Sequence, residues 1–220
     1  MCMVSACGGG GGASLADAAS VAGGAGTTPV QPVAALSRNI ACWGDSLTNL
    51  YWSNLQQVFP DRQVFNGGVP GETSTQTRAR AVADTEHRDW ISVYWYGHNN
   101  FTKEAVPGDI AASIAALAPN NKAFIVMSML NWADDGERGT ASYADIMRVN
   151  GELAAQYPDN FIDIHGYLVS LYQPDNPQDV QDHNNDLVPS SLRFDRIHLN
   201  GAGCDAVAAR IKSFIAARQW

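Results

Sequence analysis

The chain has 220 residues, 45% of them hydrophobic, and carries a formal net charge of -8 with an isoelectric point near 4.9. That length suits one domain with a real core and leaves no room for a second. The acidic balance argues against nucleic acid or an anionic membrane surface as partner, since both attract basic patches, and admits neutral or cationic substrates. No apolar run approaches the roughly 20 residues of a membrane span.

Residues 1–37 hold eight glycines, no aromatic residue, no Lys or Arg, and one acid, Asp17. Such a stretch buries too little apolar surface to offset its ordering entropy, so a disordered tether is expected, followed by a domain at 38–220. Near its start Val4-Ser5-Ala6-Cys7-Gly8 resembles a bacterial lipobox. That resemblance implies a lipidated Cys7, a membrane tether through it, and a place in the cell envelope (periplasm or outer membrane) or outside the cell. The charged n-region and most of the apolar h-region of a secretory peptide are missing from this stretch, and a cytoplasmic protein with a Gly-rich tail is the alternative. As a leash, residues 8–37 would have an r.m.s. reach of about 30 Å.

Apolar runs suited to buried parallel strands follow at 40–43, 63–65, 91–96, 123–129 and 161–164. Helical patterns at 47–59, 75–84, 109–117, 142–157 and 201–218 alternate with them. Strand and helix in alternation predict a doubly wound α/β sheet, whose ligands bind outside the carboxyl ends of the strands.

The chemistry-bearing residues fall at those ends. Gly44-Asp45-Ser46-Leu47 closes the first strand and opens a helix, so the Ser46 hydroxyl lies beside free backbone N–H groups where an oxyanion could form. Gly44 permits a tight approach, and Asp45 suits the turn better than the chemistry. Gly67 to Thr73 follows the second strand, with Gly71 able to bring its N–H near a ligand. Tyr94-Trp95-Tyr96-Gly97-His98-Asn99-Asn100 runs from the third strand into a turn where Asn99 can aim an amide at the same point. Near the end, Asp195-Arg196-Ile197-His198 spaces an acid and an imidazole by three, close enough for Asp195 to hold His198 in the tautomer of a general base.

These four segments, in this order, resemble the SGNH or GDSL hydrolase family, whose blocks are named for Ser, Gly, Asn and His. The matches are Ser46, Gly71, Asn99 and His198, and the resemblance covers residues 38–220. It implies a three-layer α/β/α fold with a five-stranded, mainly parallel, flavodoxin-like sheet, and esterase or lipase chemistry without a cofactor or metal. It also implies a triad of Ser46, His198 and Asp195, with an oxyanion hole formed by Ser46, Gly71 and Asn99. One departure is visible. The third block usually reads Gly-X-Asn-Asp, whereas Asn100 here carries no charge, so whatever a carboxylate would pair with there must be met otherwise.

Around the serine, Tyr51, Trp52 and Trp132 are candidates for an aromatic wall against a sugar ring or acyl group, with core packing as the alternative for each. His98 either lines the site and touches substrate or is a satisfied structural histidine. Cys42 and Cys204 lie four residues before Ser46 and six after His198, and are read either as a disulfide or as two buried thiols. The Pro-rich stretch 173–191 is expected to be irregular, a solvated acidic loop or a flap over the site. Its run Asp182-His183-Asn184-Asn185-Asp186 has the alternating oxygens of a calcium loop but lacks the glycine and glutamate that should follow.

The expected function is a serine ester hydrolase acting on short-chain or carbohydrate O-acyl esters. A lysophospholipase or thioesterase is the alternative within the class. A tethered, non-catalytic binding protein is the alternative outside it, and a metallophosphoesterase is disfavoured because two metals need more His and Asp ligands.

Overall fold

The computed structural model describes residues 36–102 and 105–220. Five strands, β1 (Ile40–Gly44), β2 (Val64–Gly68), β3 (Ile91–Trp95), β4 (Phe124–Met127) and β5 (Phe161–Ile162), form one sheet in the order β2-β1-β3-β4-β5, every pair parallel. The helices are α1 (Ser46–Val58), α2 (Ser74–Ala83), α3 (Ala105–Ala115), α4 (Ala141–Gln156), α5 (Ile164–Val169), α6 (Pro177–Asn184) and α7 (Gly201–Ala217). They cover both faces, which makes the three-layer α/β/α architecture.

Alternation along each strand feeds two cores. Ile40 and Cys42 of β1, with Ile91, Val93 and Trp95 of β3, meet Leu47, Tyr51 and Leu55 of α1 and Val207, Ala208 and Ile211 of α7. Ala41 and Trp43, with Tyr94 and Val126, face α2, α3 and α4 through Ala81, Ile110, Ile146 and Val149. Strands buried on both faces explain the continuous apolar runs. Because β1 lies between β2 and β3, the turns after these three strands come together at one edge of the sheet.

Several elements differ from the sequence expectation. Helix α3 starts at Ala105 rather than at 109, because Pro107 and Gly108 sit in its first turn, where a missing N–H is no loss. Stretch 173–191 is irregular only in part, since residues 177–184 are helix α6: Asn176 caps it by accepting from the N–H groups of Gln178 and Asp179, and Pro177 occupies its first position. Nor is the stretch a solvated acidic loop. Asp179 and Asp182 are buried and already partnered, Asp182 by the Ser190 N–H and the Arg193 guanidinium. Asp186 accepts from the Tyr143 hydroxyl, and Asn185 donates to Glu137. The run that resembled a calcium loop is therefore the end of a helix whose oxygens serve the fold.

Cys42 and Cys204 are two separate buried thiols. Burial pushes Cys42 up to about 12 and Cys204 up to about 11, which keeps both protonated. Cys7 and the expected tether lie outside the described residues.

Candidate active site

The serine turn is shaped by close packing. A β-carbon on Gly44 would stand 2.0 Å from the Thr48 hydroxyl and 2.3 Å from the Trp95 carbonyl, so only glycine lets β1 pass into α1 at this point. Asp45 caps α1, its Oδ1 accepting from the Leu47 N–H at 3.1 Å. Ser46 is then the first helical residue, next to the N–H groups that a helix start leaves free.

Across from it, the segment before α7 is a short antiparallel excursion closed by a bridge between Arg193 and Leu199 and by the Phe194 N–H donating to the His198 carbonyl at 3.0 Å. Asp195 Oδ1 accepts from the N–H groups of Ile197 (2.9 Å) and His198 (2.7 Å), leaving Oδ2 for His198 Nδ1 at 2.7 Å. Nδ1 therefore carries the proton, and Nε2 is free to accept from the Ser46 hydroxyl at 2.9 Å. Burial raises the Asp195 carboxyl. The two N–H donors and the imidazole outweigh it and hold the group below the ordinary carboxylate range. A serine, an imidazole and a carboxylate so connected can generate an alkoxide-like nucleophile and store its proton.

The other two loops are tied to this centre and to each other. The Val69 N–H donates to the Gly44 carbonyl at 3.0 Å, which anchors the loop after β2 beside the serine turn. Gly71 follows with a φ of +79°, exposed at the tip. Asn99 Nδ2 donates to the Glu72 carbonyl at 2.9 Å, so one of its amide hydrogens locks the two loops together and the second remains for a ligand. Gly97 turns the chain towards Asn99 with a φ of +120°, where a β-carbon would also meet Met129 at 2.7 Å.

No family model matches the chain. Over 147 residues it is 28% identical to the tail spike protein of Salmonella phage epsilon15, a match that takes in 61% of this chain and 14% of the spike. A GDSL-like lipase of Bacteroides thetaiotaomicron superposes with a TM-score of 0.63 at 18% identity, over 82% of this chain and 89% of the lipase. The C-terminal catalytic domain of a peptidoglycan O-acetyltransferase of Streptococcus pneumoniae superposes with a TM-score of 0.56 at 15% identity, over 84% and 96%. This chain has the SGNH/GDSL hydrolase fold.

Within that fold, the candidates for substrate contact divide: Tyr51 is removed from the site by burial, His98 takes its structural alternative, and Trp132 and Trp52 stay half-buried. His98 is the satisfied structural histidine of the two readings: its Nδ1 donates to Asp45 Oδ2 at 2.9 Å, and its Nε2 accepts from the Leu130 N–H at 3.1 Å. Both nitrogens are spent on holding the serine turn to the segment after β4. Tyr51 is wholly buried, its ring centroid 5.6 Å from that of Trp95, because position 51 lies on the α1 face that packs on the sheet. Trp132 is half-buried against Phe101, under the Arg196 guanidinium, with its indole N–H on Asp135. It serves to pin the segment after β4 to the turn of Asp195, where the Ala133 N–H also donates to the Arg196 carbonyl at 3.1 Å. Trp52 stays half-buried on α1.

Phe194 and Glu72 carried no sequence signal, whereas Asn100, singled out in the sequence for its missing charge, finds its partners on Ser74. Phe194 is 63% exposed, and its ring lies nearly parallel to the His198 imidazole with centroids 5.8 Å apart. Glu72 accepts from Arg80 and from the Thr77 hydroxyl, bracing the loop of Gly71. Asn100 spans both polar groups of Ser74, its Oδ1 taking the backbone N–H and its Nδ2 donating to the hydroxyl, each at 2.8 Å.

Proposed function

We propose that this domain is a serine ester hydrolase working through an acyl-enzyme, with Ser46, His198 and Asp195 as its triad. The observation that carries the reading is the continuous Ser46–His198–Asp195 hydrogen-bond line, 2.9 and 2.7 Å, at the carboxyl edge of a parallel sheet. Ser46 Oγ attacks the ester carbonyl carbon as its proton passes to His198 Nε2. The tetrahedral oxyanion is held by the N–H groups of Ser46 and Gly71 and by the free amide hydrogen of Asn99. Collapse expels the alcohol, which takes the proton back from His198, and water repeats the sequence on the acyl-serine.

For substrate we propose O-acyl groups on a carbohydrate. The site is open, with 30% of the His198 side chain and 41% of the Asp195 side chain exposed, and Phe194 offers a flat apolar ring beside the base. An open rim with an aromatic face suits a bulky polar alcohol better than a long acyl chain. The likeness to a peptidoglycan O-acetyltransferase supports the same class, and it favours a second reading in which a sugar hydroxyl, not water, receives the acyl group.

Ser46→Ala should remove hydrolysis of an aryl acetate by on the order of 10⁴-fold or more, together with labelling by a fluorophosphonate. Wild-type turnover in that variant would sink the assignment. A chain-length series of p-nitrophenyl esters beside acetylated xylan tests the substrate, and preference for acyl chains of about eight carbons or more, as a lysophospholipase or thioesterase would show, would overturn the carbohydrate reading. We further propose lipidation at Cys7 as an envelope tether. Absence of lipid on the purified chain by intact-mass measurement would discard it in favour of a domain borne by a larger surface protein, as the tail-spike similarity suggests.

A further inference from the structure

We infer that Asp109, on α3, is a positioning residue for the oxyanion side of the site, acting through Ser74 and Asn100. The inference rests on the proposed serine-hydrolase reading.

Asp109 is buried, and its Oδ2 accepts from the Ser74 hydroxyl at 2.6 Å and from the Thr75 hydroxyl at 2.8 Å. Arg78 Nε lies 3.3 Å from Oδ1 and balances its charge. An ionised carboxylate only accepts, so it captures the single proton of the Ser74 hydroxyl. The Ser74 oxygen is then left as an acceptor for Asn100 Nδ2, while Asn100 Oδ1 takes the Ser74 backbone N–H. Each hydrogen bond in the chain from Asn100 to Ser74 to Asp109 thus has one allowed direction, and the direction is set by the charge at its end.

Asn100 is the covalent neighbour of Asn99, and Ser74 follows Gly71 by three residues. The relay therefore fixes both oxyanion loops against the first turn of α2, and Asn99 closes the frame on the Glu72 carbonyl. The frame is also held from behind, since the Tyr96 hydroxyl, just past β3, donates to the Asp109 carbonyl at 3.3 Å. An uncharged position 100 is explained by this arrangement: with a carboxylate at 109, a second one at 100 would compete for the same hydroxyl proton. Stabilisation of an oxyanion depends on donors placed to a fraction of an ångström, so a relaxed frame should lower kcat and leave ground-state binding largely intact.

The test is a reciprocal swap, read with an aryl acetate at 25 °C and with melting temperatures for every variant. Asp109→Asn should lower kcat by about ten-fold or more with KM within about two-fold. Asn100→Asp alone, which sets two carboxylates about one hydroxyl, should also lower kcat. The double variant Asn100→Asp/Asp109→Asn reverses the relay: the amide introduced at position 109 donates to the Ser74 hydroxyl, and that hydroxyl donates to the carboxylate introduced at position 100. It should recover kcat to within about three-fold of wild type, far better than the product of the single losses. Wild-type kcat in Asp109→Asn overturns the inference. So does a double variant as impaired as that product, or losses that follow melting temperature and vanish in the folded enzyme. Failure of the underlying reading is distinguishable, because the wild-type protein would then be insensitive to fluorophosphonate and Ser46→Ala would retain turnover.

Discussion

Replacement of His98 by Ala separates a structural histidine from a substrate-facing one. In the folded protein Asp45 has no exposed surface, and only 5% of the His98 side chain is exposed. Truncation strands Asp45 Oδ2 without its donor, and removing one partner of a buried pair costs about 3–5 kcal/mol. It also strands the Leu130 N–H, a further cost of about 1–3 kcal/mol. Water entering the vacated space recovers part of both, which leaves a net loss of about 4 kcal/mol. For a domain of this size, about 2–4 °C per kcal/mol places the fall in melting temperature at about 8–16 °C. Activity should fall with it, because Asp45 caps the helix that begins at Ser46. His98→Asn, whose amide can still donate to Asp45 but does not reach Leu130, should lie between. The measurement is thermal or urea unfolding followed by circular dichroism. A histidine that only touched substrate would cost about 0.5 kcal/mol or less, so a melting temperature within about 2 °C of wild type would refute the reasoning.

Two further outcomes follow from buried groups elsewhere. Burial raises the Asp179 carboxyl, but the Ser191 hydroxyl, the Gln173 and Ser191 N–H groups and the Ser190 hydroxyl overcome it and hold it below the ordinary carboxylate value. A depressed folded-state pKa contributes stability above about pH 4 that is lost as pH falls through the folded value. The urea midpoint of wild type should therefore drop more between pH 7 and pH 3 than that of Asp179→Asn, and parallel curves would contradict this. Cys42 and Cys204, pushed up to about 12 and about 11, should not react with Ellman's reagent at pH 8 in a folded Cys2→Ser/Cys7→Ser variant and should both react in denaturant without prior reduction. Rapid native labelling of either, or a need for reductant, would count against two separate buried thiols.

Local sequence was enough for the parallel strands, since Ile40 to Trp43 and Ile91 to Trp95 must be apolar on both faces to sit inside a doubly covered sheet. It was enough also for the three loops that bear Ser46, Gly71 and Asn99, because a turn at a strand end needs particular residues within a few positions of one another, and for the Asp195/His198 turn, which follows no strand but joins its two side chains at a spacing of three. Helix α6 was legible in principle: Asn176 before Pro177 is a cap followed by a first-turn proline, masked by the prolines and acids around it. What no local pattern contains is which side chains a distant element will meet. Tyr51 has the composition of a binding wall, yet α1 turns it into the core, while Trp132 stays half-buried beside the Arg196 guanidinium. His98 reads from sequence either as a substrate contact or as a structural histidine, and only Asp45 and Leu130, 53 positions before it and 32 after, decide for the second by taking its two nitrogens. Phe194 and Asp109 gave no signal at all, because one matters through its stacking on His198 and the other through a helix start 35 positions earlier. Period and turn chemistry act over a few residues and so are written in the sequence. Pairing across the sheet depends on strand order and on the crossovers, and only the folded chain decides it.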